Sequence, residues 1–474
     1  MNIFRTLPQY GWPAFSSDAP TYDIPSRGNK DYPLWYDTGR VVVEDAALSA
    51  RHGSPWLLYP TDPDKYFPFM YPPFAALLLG LLSLLGPAGM TIALVALNAI
   101  SFAVAIELSV KLVAGPGEDT LWLRLIPSAI SLFFVHDMFL LGQPNLGLLA
   151  LVLGGLMLTR KGYGCWGGFL LALATAIKAF PVVAIVYLLW RREWKASISM
   201  LAFVLAFFIL VPGLVRGFER SATELKIWSN GMLFTHGEGG IGQRPGLSTC
   251  WKNQSIFGLA PRLLGTAPMN GEEILEFDRD EAIKAEIDKK LADNPADEER
   301  QKLLGELRRI AERWAVDPGR PVYLSPFRLD HRTVTWITIG LCGLLGLSFI
   351  AAMPKPERRT PATDAAEFGM LILLMLIGTP YAYGYYFVWL LTPLTVIAHR
   401  ALNGNGTNSR NLAWDVLILV VLLLAIGAPI DGNLYPMGYG TSFWATMVAY
   451  AGLIWIRFTS RPSPASPPRT SALP

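Results

Sequence analysis

Apolar and polar runs alternate along the chain in a way that predicts a series of membrane helices. Several apolar runs approach the ~20 residues that a helix needs to cross the hydrocarbon layer. Others are shorter, which is typical of broken helices that line a cavity. We therefore predict an all-α polytopic membrane protein with a bundle of about 11–12 transmembrane helices, several of them short or broken. The apolar segments are 72–86, 88–112, 124–141, 145–159, 164–177, 181–190, 196–215, 332–353, 367–378, 385–398, 412–429 and 440–457.

Lysine and arginine residues cluster in the short connections between these segments. Such clusters are expected on the cytoplasmic side, and the other polar regions then fall outside. The clusters are at 160–162, 191–195, 355–359, 399–400 together with Arg410, and from Arg457 onward. The predicted organisation is an extracytoplasmic N-terminal loop over 1–71, membrane helices over 72–215, a large extracytoplasmic loop over 216–331, membrane helices over 332–458 and a cytoplasmic Pro/Ser-rich tail over 459–474.

Two long polar regions lie outside the predicted membrane helices. The large loop contains a charged stretch over 270–315 with helical spacing, which we interpret as a solvated helical hairpin rather than an acidic site. Residues 1–68 contain neither an apolar run nor a signal-peptide pattern. Because 72–112 reads as two helices but must make one net crossing, we expect one of them to be a half-helix. We also expect a first transmembrane helix upstream of Met1.

Composition supports the membrane class and excludes others. Of the 474 residues, 52% are hydrophobic and only 16% are charged, whereas soluble proteins carry about 25% charged residues. The net charge of +3 is spread over many loops and indicates no nucleic-acid partner. The three cysteines lie far apart, with no CxxC or Cys/His spacing, so a zinc or redox centre is not expected.

Lys178 interrupts an apolar run that extends from Leu171 to Trp190. A lysine at the centre of a bilayer costs ~2.5–3.5 kcal/mol, so one straight helix is disfavoured. The basic clusters on both sides of 163–190 share a side of the membrane only if this segment crosses twice. Pro181 supplies the break. We therefore predict a hairpin whose outer end carries the ammonium group at the mouth of a cavity.

Several polar or aromatic residues near the predicted outer face could carry chemistry. Asp31, in an aromatic stretch, could act as a general base, although a solvated loop aspartate fits as well. The amides of Gln143 and Asn145 in "GQPN" could bind sugar hydroxyls or only end a helix. Tyr385 and Tyr386 could stack on a substrate or form an interfacial aromatic belt. Asn253, Gln254 and Arg262 lie on an amphipathic stretch with a packing or substrate role.

The order of these motifs resembles the glycosyltransferase 87 family. The similar stretches are "DYPLWY", "YPPFAALLL", "GQPNLGLLAL", "GCWGGFLLALATAIKAFPVVAIVYLLWRREWKA", "NQSIFGLAPRLL" and "AEFGMLILLMLIGTPYAYGYYFVWLLTPL". The resemblance covers about residues 30 to 400 and is strongest over 142–195. The family comprises GT-C-type membrane enzymes that use a polyprenyl-phosphate sugar, and it includes mycobacterial α-mannosyltransferases.

The resemblance implies roles for the candidate residues. Asp31, in a setting completed by Tyr36, would be the base that activates an acceptor hydroxyl for an inverting displacement of polyprenyl phosphate. Lys178 would bind the donor or leaving phosphate. Gln143, Asn145, Tyr385 and Tyr386 would contribute to the donor site, and Tyr36, Asn253, Gln254 and Arg262 to an acceptor or sugar pocket. The expected location is the plasma or inner membrane, with the active site on the outer face.

One departure from the family limits the substrate assignment. Many members carry S-P-x-S-W-x-H-H where this chain has "TPYAYGYY", so Tyr385 and Tyr386 replace two histidines. For this reason we do not assign mannose.

The expected partners are a polyprenyl-phosphate-linked sugar donor as co-substrate, a lipid or glycan acceptor and membrane lipids. No tightly bound cofactor is expected. No metal site is indicated, since Asp37 and Asp137 are the only further carboxylates near the motifs. The competing interpretations are a transporter or flippase for lipid-linked or polar solutes and a non-catalytic family member.

Overall fold

The computed structural model describes residues 31–44, 57–59, 69–115, 117–234, 248–293, 296–313, 320–355, 359–404, 407–428 and 434–459. These residues are largely helical and include no β-strand, which confirms the predicted all-α class. Most of the predicted N-terminal loop and nearly all of the predicted tail lie outside the described residues.

The helices are, in chain order, α1 Tyr32–Val43, α2 Pro73–Ser83, α3 Gly86–Val113, α4 Leu121–Leu141, α5 Asn145–Arg160, α6 Gly164–Ile177, α7 Ala184–Trp190, α8 Trp194–Arg216, α9 Phe218–Ser229, α10 Ile256–Leu264, α11 Gly271–Ala292, α12 Asp297–Arg313, α13 His331–Ala352, α14 Pro361–Ile377, α15 Leu391–Asn403, α16 Thr407–Ile426, α17 Tyr435–Gly438 and α18 Thr441–Thr459. Two 3₁₀ turns, Phe180–Val183 and Gly384–Leu390, precede α7 and α15. A π-helical turn over Ala206–Leu210 lies within α8.

Within the described part of the chain, five helices are long and apolar enough to cross a membrane: α3, α4, α8, α13 and α16. In the most apolar 18-residue segment of each helix, a third of the residues or fewer are buried inside the protein. Most of this apolar surface therefore faces outward. A soluble protein would not expose so much contiguous apolar surface. The protein is therefore an all-α polytopic membrane protein, while the predicted number of 11–12 crossings stays a prediction. At 11 residues, α2 is too short to span on its own.

The α6–α7 segment turns back on itself at Pro181. Helix α6 runs parallel to α8, because Gly164 lies against Lys195 and Gly168 lies against Met200. A Cβ atom on Gly168 would lie 2.7 Å from the Met200 backbone nitrogen, so glycine is needed for this close approach. Since α8 starts beside the start of α6, the short α7 must return the chain to that end. Lys178 therefore lies at the opposite end, as the hairpin interpretation expects.

Three basic connections meet at that return end. Arg160 and Arg359 both form ion pairs with Asp364, the latter at 2.7 Å between Nε and Oδ1. Arg191 pairs with Glu367, whose carboxylate is fully buried. These contacts bring the clusters at 160–162, 191–195 and 355–359 to one end of the bundle, which is the arrangement that the positive-inside pattern predicts.

Helix α14 begins earlier than the apolar pattern indicates. The pattern predicts an apolar segment over 367–378, whereas the helix starts at Pro361. Thr360 and Thr363 form a reciprocal capping box there. The buried ion pairs then allow Asp364 and Glu367 to lie inside the helix, so a search for apolar residues alone misses its first turn and a half.

The charged stretch in the large loop forms two helices, α11 and α12. They pack on each other through a small apolar cluster of Ile287, Leu303 and Ile310. Most of their charged side chains are exposed, and pairs such as Lys290 with Glu286 lie along the surface. This arrangement has the form of a solvated helical hairpin.

Site-directed labelling tests the arrangement of the two ends. In a variant without native cysteines, Lys161→Cys and Lys195→Cys should react with an impermeant thiol reagent from the same side of the membrane. Glu286→Cys should react only from the other side. All three positions are exposed. Labelling of positions 161 and 195 from opposite sides would contradict the hairpin.

Glu367→Gln tests the buried ion pair. The change leaves the Arg191 guanidinium buried without its carboxylate, and such a loss costs about 3–5 kcal/mol. We expect a matching fall in the free energy of unfolding, measured by titration with a denaturing detergent. Glu286→Gln breaks an exposed pair with Lys290 and should change that free energy by under about 1 kcal/mol. Equal effects of the two variants would contradict this account.

Candidate active site

The end of the bundle opposite the basic connections carries the candidate site, and α1 brings Asp31 to it. The backbone N–H of Asp31 donates to the Leu141 carbonyl at 3.3 Å, and the Tyr32 hydroxyl donates to the Phe139 carbonyl at 2.8 Å. Asp31 occupies the N-cap position of α1, but its side chain does not cap the helix. Pro33 removes one of the N–H groups that such a cap would bind. The carboxylate is therefore available to other partners.

Gly142 allows α1 to approach the end of α4. It adopts a left-handed conformation, with φ +76°, and ends α4. A Cβ atom at this position would lie 2.8 Å from atoms of the Tyr32 ring. Glycine therefore satisfies both the turn and the close contact. The next residue, Gln143, is directed toward Asp31.

The Gln143 side chain connects Asp31 to the rest of the site. Its Nε2 donates to Asp31 Oδ2, and its Oε1 accepts from the Tyr71 hydroxyl. The same oxygen is 3.4 Å from Lys178 Nζ. The Gln143 backbone carbonyl accepts from the Asn98 amide at 3.1 Å. One buried amide thus holds a carboxylate on one side and an ammonium group on the other.

Lys178 follows the last residue of α6 and has an extended backbone. Its Nζ donates to Asn145 Oδ1 at 3.1 Å. The same nitrogen lies 3.9 Å from the centroid of the Tyr386 ring, 5.1 Å from that of Tyr71 and 5.2 Å from that of Tyr385. Amide oxygens and aromatic faces both favour the charged form of an amine. Burial acts against that form, because it lowers the pKa of Lys178 well below its usual range, and the charge of Asp31 opposes this fall. The ammonium form of Lys178 therefore depends on these contacts and on the nearby carboxylate.

Asn145 fixes the aromatic turn against α5. Its Nδ2 donates to the Tyr385 carbonyl at 3.1 Å, and its own carbonyl accepts from the Trp389 indole at 2.9 Å. Asn145 is fully buried at the first position of α5. The turn that carries Tyr385 and Tyr386 is thereby held beside Lys178.

The electrostatics of Asp31 suit a group that titrates near neutrality. Burial raises the pKa of Asp31 to about 6, while the hydrogen bond from Gln143 and the charge of Lys178 oppose that rise. The side chain is still only half-buried. Asp31 therefore combines a raised proton affinity with access from outside, which are the properties of a general base.

The second group of predicted site residues lies in a separate, fully buried cluster. Asn253 donates to the Pro380 carbonyl at 2.8 Å and accepts from the Ala382 N–H at 3.0 Å. Gln254 donates to the Met437 carbonyl at 2.7 Å. These amides bind backbone groups, and Asn253 thereby holds the loop that precedes the turn with Tyr385 and Tyr386.

Arg262 belongs to the same cluster. Its guanidinium donates to the carbonyls of Asn253 at 2.8 Å, Thr249 at 3.1 Å and Gly438 at 3.0 Å. It is fully buried. Arg262 thus joins the segment before α10 to the turn at α17, and it does not meet Asp31 or Lys178.

The remaining predicted residue and the missed ones lie close to Asp31. Tyr36 is half-buried on α1 and packs against the aromatic cluster that contains Trp35 and Tyr71. Tyr71 and Asn98 were not predicted as site residues. Tyr71 stands directly before the two prolines that start α2, and Asn98 is an isolated amide in an apolar helix. An amide in such a position usually has a specific partner, and this signal could have found it.

The carboxylates considered for a metal do not form a cluster. Among the residues that the structure describes, no group of three or more His, Cys, Asp or Glu side chains could hold a metal ion. Asp37 lies on α1, and Asp137 lies on α4.

The protein is a polytopic membrane protein in which one end of the helix bundle holds a carboxylate and an amine joined through the Gln143 amide. The family model of glycosyltransferase family 87 matches residues 69–277, which confirms the resemblance seen in the sequence. The matched segment contains Gln143, Asn145 and Lys178, whereas Asp31 precedes it. No curated protein and no solved structure matches the chain. The family match and the apolar helices together support a membrane glycosyltransferase.

Proposed function

We propose that the protein transfers a sugar from a polyprenyl-phosphate donor to a hydroxyl of a lipid or glycan acceptor on the outer face of the membrane. The observation that carries this proposal is the Gln143 amide, which bridges a half-buried carboxylate and a buried ammonium group. A displacement at an anomeric carbon needs a base for the nucleophile and a positive charge for the leaving group. Asp31 and Lys178 supply these two groups.

The reaction follows from their chemistry. The Asp31 carboxylate takes the proton of the acceptor hydroxyl as its oxygen attacks the anomeric carbon. The bond between that carbon and the phosphate oxygen breaks, and polyprenyl phosphate leaves with the electron pair. Attack opposite the leaving group inverts the configuration. Lys178 offsets the charge that develops on the phosphate, and no metal is required for this balance.

In this proposal the two tyrosines contact the donor beside Lys178. Their rings, which replace the histidines of many relatives, leave the site with neutral aromatic faces. Such faces stack on sugars or pack against a prenyl chain. Asn253, Gln254 and Arg262 do not contact the donor in this proposal. They hold the loop that leads to the two tyrosines and so keep the tyrosine rings in position.

Asp31→Asn is the direct test of the proposed base. Membranes that contain the protein should transfer radiolabelled sugar from a polyprenyl-phosphate donor, and this variant should lower the rate by about 10²–10⁴-fold. Asp37→Asn, on the same helix, is the matched control and should keep the rate within about twofold. Near-normal transfer by Asp31→Asn would overturn the role of Asp31. Absence of transfer by the wild type with every such donor would favour a transporter or a non-catalytic protein.

The pH profile gives an independent test. The base must be deprotonated, so kcat/KM should fall as the pH drops below about 6, the pKa of Asp31. Because the Gln143 hydrogen bond lowers that pKa, Gln143→Leu should move the acidic limb to higher pH. The measurement is kcat/KM between about pH 4.5 and 8.5. A flat profile in the wild type, or a limb that moves to lower pH in Gln143→Leu, would contradict the assignment.

A further inference from the structure

Asp137 is a carboxylate within a candidate membrane span and has no part in the mechanism above. It lies on α4, five residues before Gly142, and is half-buried. A charged side chain at such a position is costly, and it is usually retained for a specific interaction.

Asp137 faces the turn that carries the two tyrosines. A Cβ atom on Gly384 would lie 3.1 Å from Asp137 Oδ2, so the turn backbone passes close to the carboxylate. The Phe387 ring packs on Phe134, one turn earlier on α4, at 5.6 Å between ring centroids. Tyr385 follows Gly384 directly. Asp137 therefore borders the donor side of the site.

The same helix also carries the anchor of Asp31. Leu141, one turn after Asp137, offers the carbonyl that binds the Asp31 backbone N–H. Asp137 and Leu141 share a face of α4, since residues four apart are neighbours on a helix surface. Asp137 is therefore one helical turn from the residue that anchors Asp31, and its carboxylate lies beside the turn that carries Tyr385.

Within the described residues, Asp137 forms no hydrogen bond and no ion pair. Among the described residues, the titratable side chain that acts on it is His136, its exposed chain neighbour. By contrast, Asp364 and Glu367 at the opposite end of the bundle are both paired with arginines. A half-buried carboxylate that receives no hydrogen bond from the protein can accept hydrogen bonds from a ligand.

We propose that Asp137 binds hydroxyl groups of the transferred sugar and helps to select which sugar is transferred. This inference rests on the proposed function. A carboxylate has two acceptor oxygens, which suit two neighbouring hydroxyls of a hexose. A site that hydrogen-bonds a substrate hydroxyl also rejects analogues that lack it. Asp137 would therefore act on donor specificity, separately from the proton transfer by Asp31.

Asp137→Asn and a set of deoxy donors test this proposal. The donors are polyprenyl-phosphate hexoses that each lack one ring hydroxyl, and the measurement is kcat/KM for transfer. With the parent donor, Asp137→Asn should lower kcat/KM by about 10- to 100-fold. With the donor that lacks the contacted hydroxyl, the wild type should already be slow and the variant should add little. Asp415→Asn, on the candidate span α16, makes the same chemical change elsewhere and should leave kcat/KM unchanged.

The outcomes separate this inference from the proposed function. A wild type that transfers sugar, with Asp137→Asn as active as Asp415→Asn, would overturn only the role of Asp137. The same loss for every deoxy donor would also overturn it, because it would indicate general support of the fold. Inhibition of the wild type by a chelator, but not of Asp137→Asn, would replace sugar binding with metal binding. A wild type without transfer activity would remove both proposals.

Discussion

The dual hydrogen-bonding capacity of the Gln143 amide is the constraint on which the candidate site depends. Its NH₂ group must point to Asp31, because a carboxylate only accepts hydrogen bonds. Its oxygen must then point to the donors of Tyr71 and Lys178. A glutamate at this position would repel Asp31, and an apolar residue would leave both charged groups without a shared partner. An amide can donate to the carboxylate and accept from the ammonium group while it remains neutral.

The surrounding fold keeps that amide in one place. The left-handed Gly142 ends α4, and Asn98 on α3 holds the Gln143 carbonyl. The hairpin at Pro181 places Lys178 at the level of Asn145 without a continuous span across the membrane. At the other end, the pairs of Arg160 with Asp364 and of Arg191 with Glu367 join the α5–α8 segment to α14. The distant ion pairs and the candidate site thus brace the same helices from opposite ends.

Sequence patterns predicted the helices well because apolar length reflects the membrane, whatever the packing inside it. Asp31, Gln143, Asn145, Lys178, Tyr385 and Tyr386 lie at the same end of the bundle. In the sequence, the last five stand where an apolar segment begins, ends or is interrupted, whereas Asp31 lies in the polar N-terminal region. Asn253, Gln254 and Arg262 lie in the long polar region 216–331, and their side chains bind backbone groups. Sequence does not distinguish an amide that binds a ligand from one that satisfies a distant loop, since the partners of both are set by tertiary contacts.

The family resemblance implies two histidines where this chain has Tyr385 and Tyr386, and the position of Lys178 gives this difference a physical consequence. A protonated histidine at 385 or 386 would stand beside the ammonium group and would repel it. A tyrosine ring instead offers a neutral face, and at 3.9 Å that of Tyr386 stabilises the charge. In the proposed reaction, the leaving phosphate then meets one fixed cation, opposite one carboxylate. With tyrosines at these positions, Lys178 alone would stabilise the charge on the phosphate. The neighbouring part of the pocket would then suit an apolar group or the face of a sugar ring.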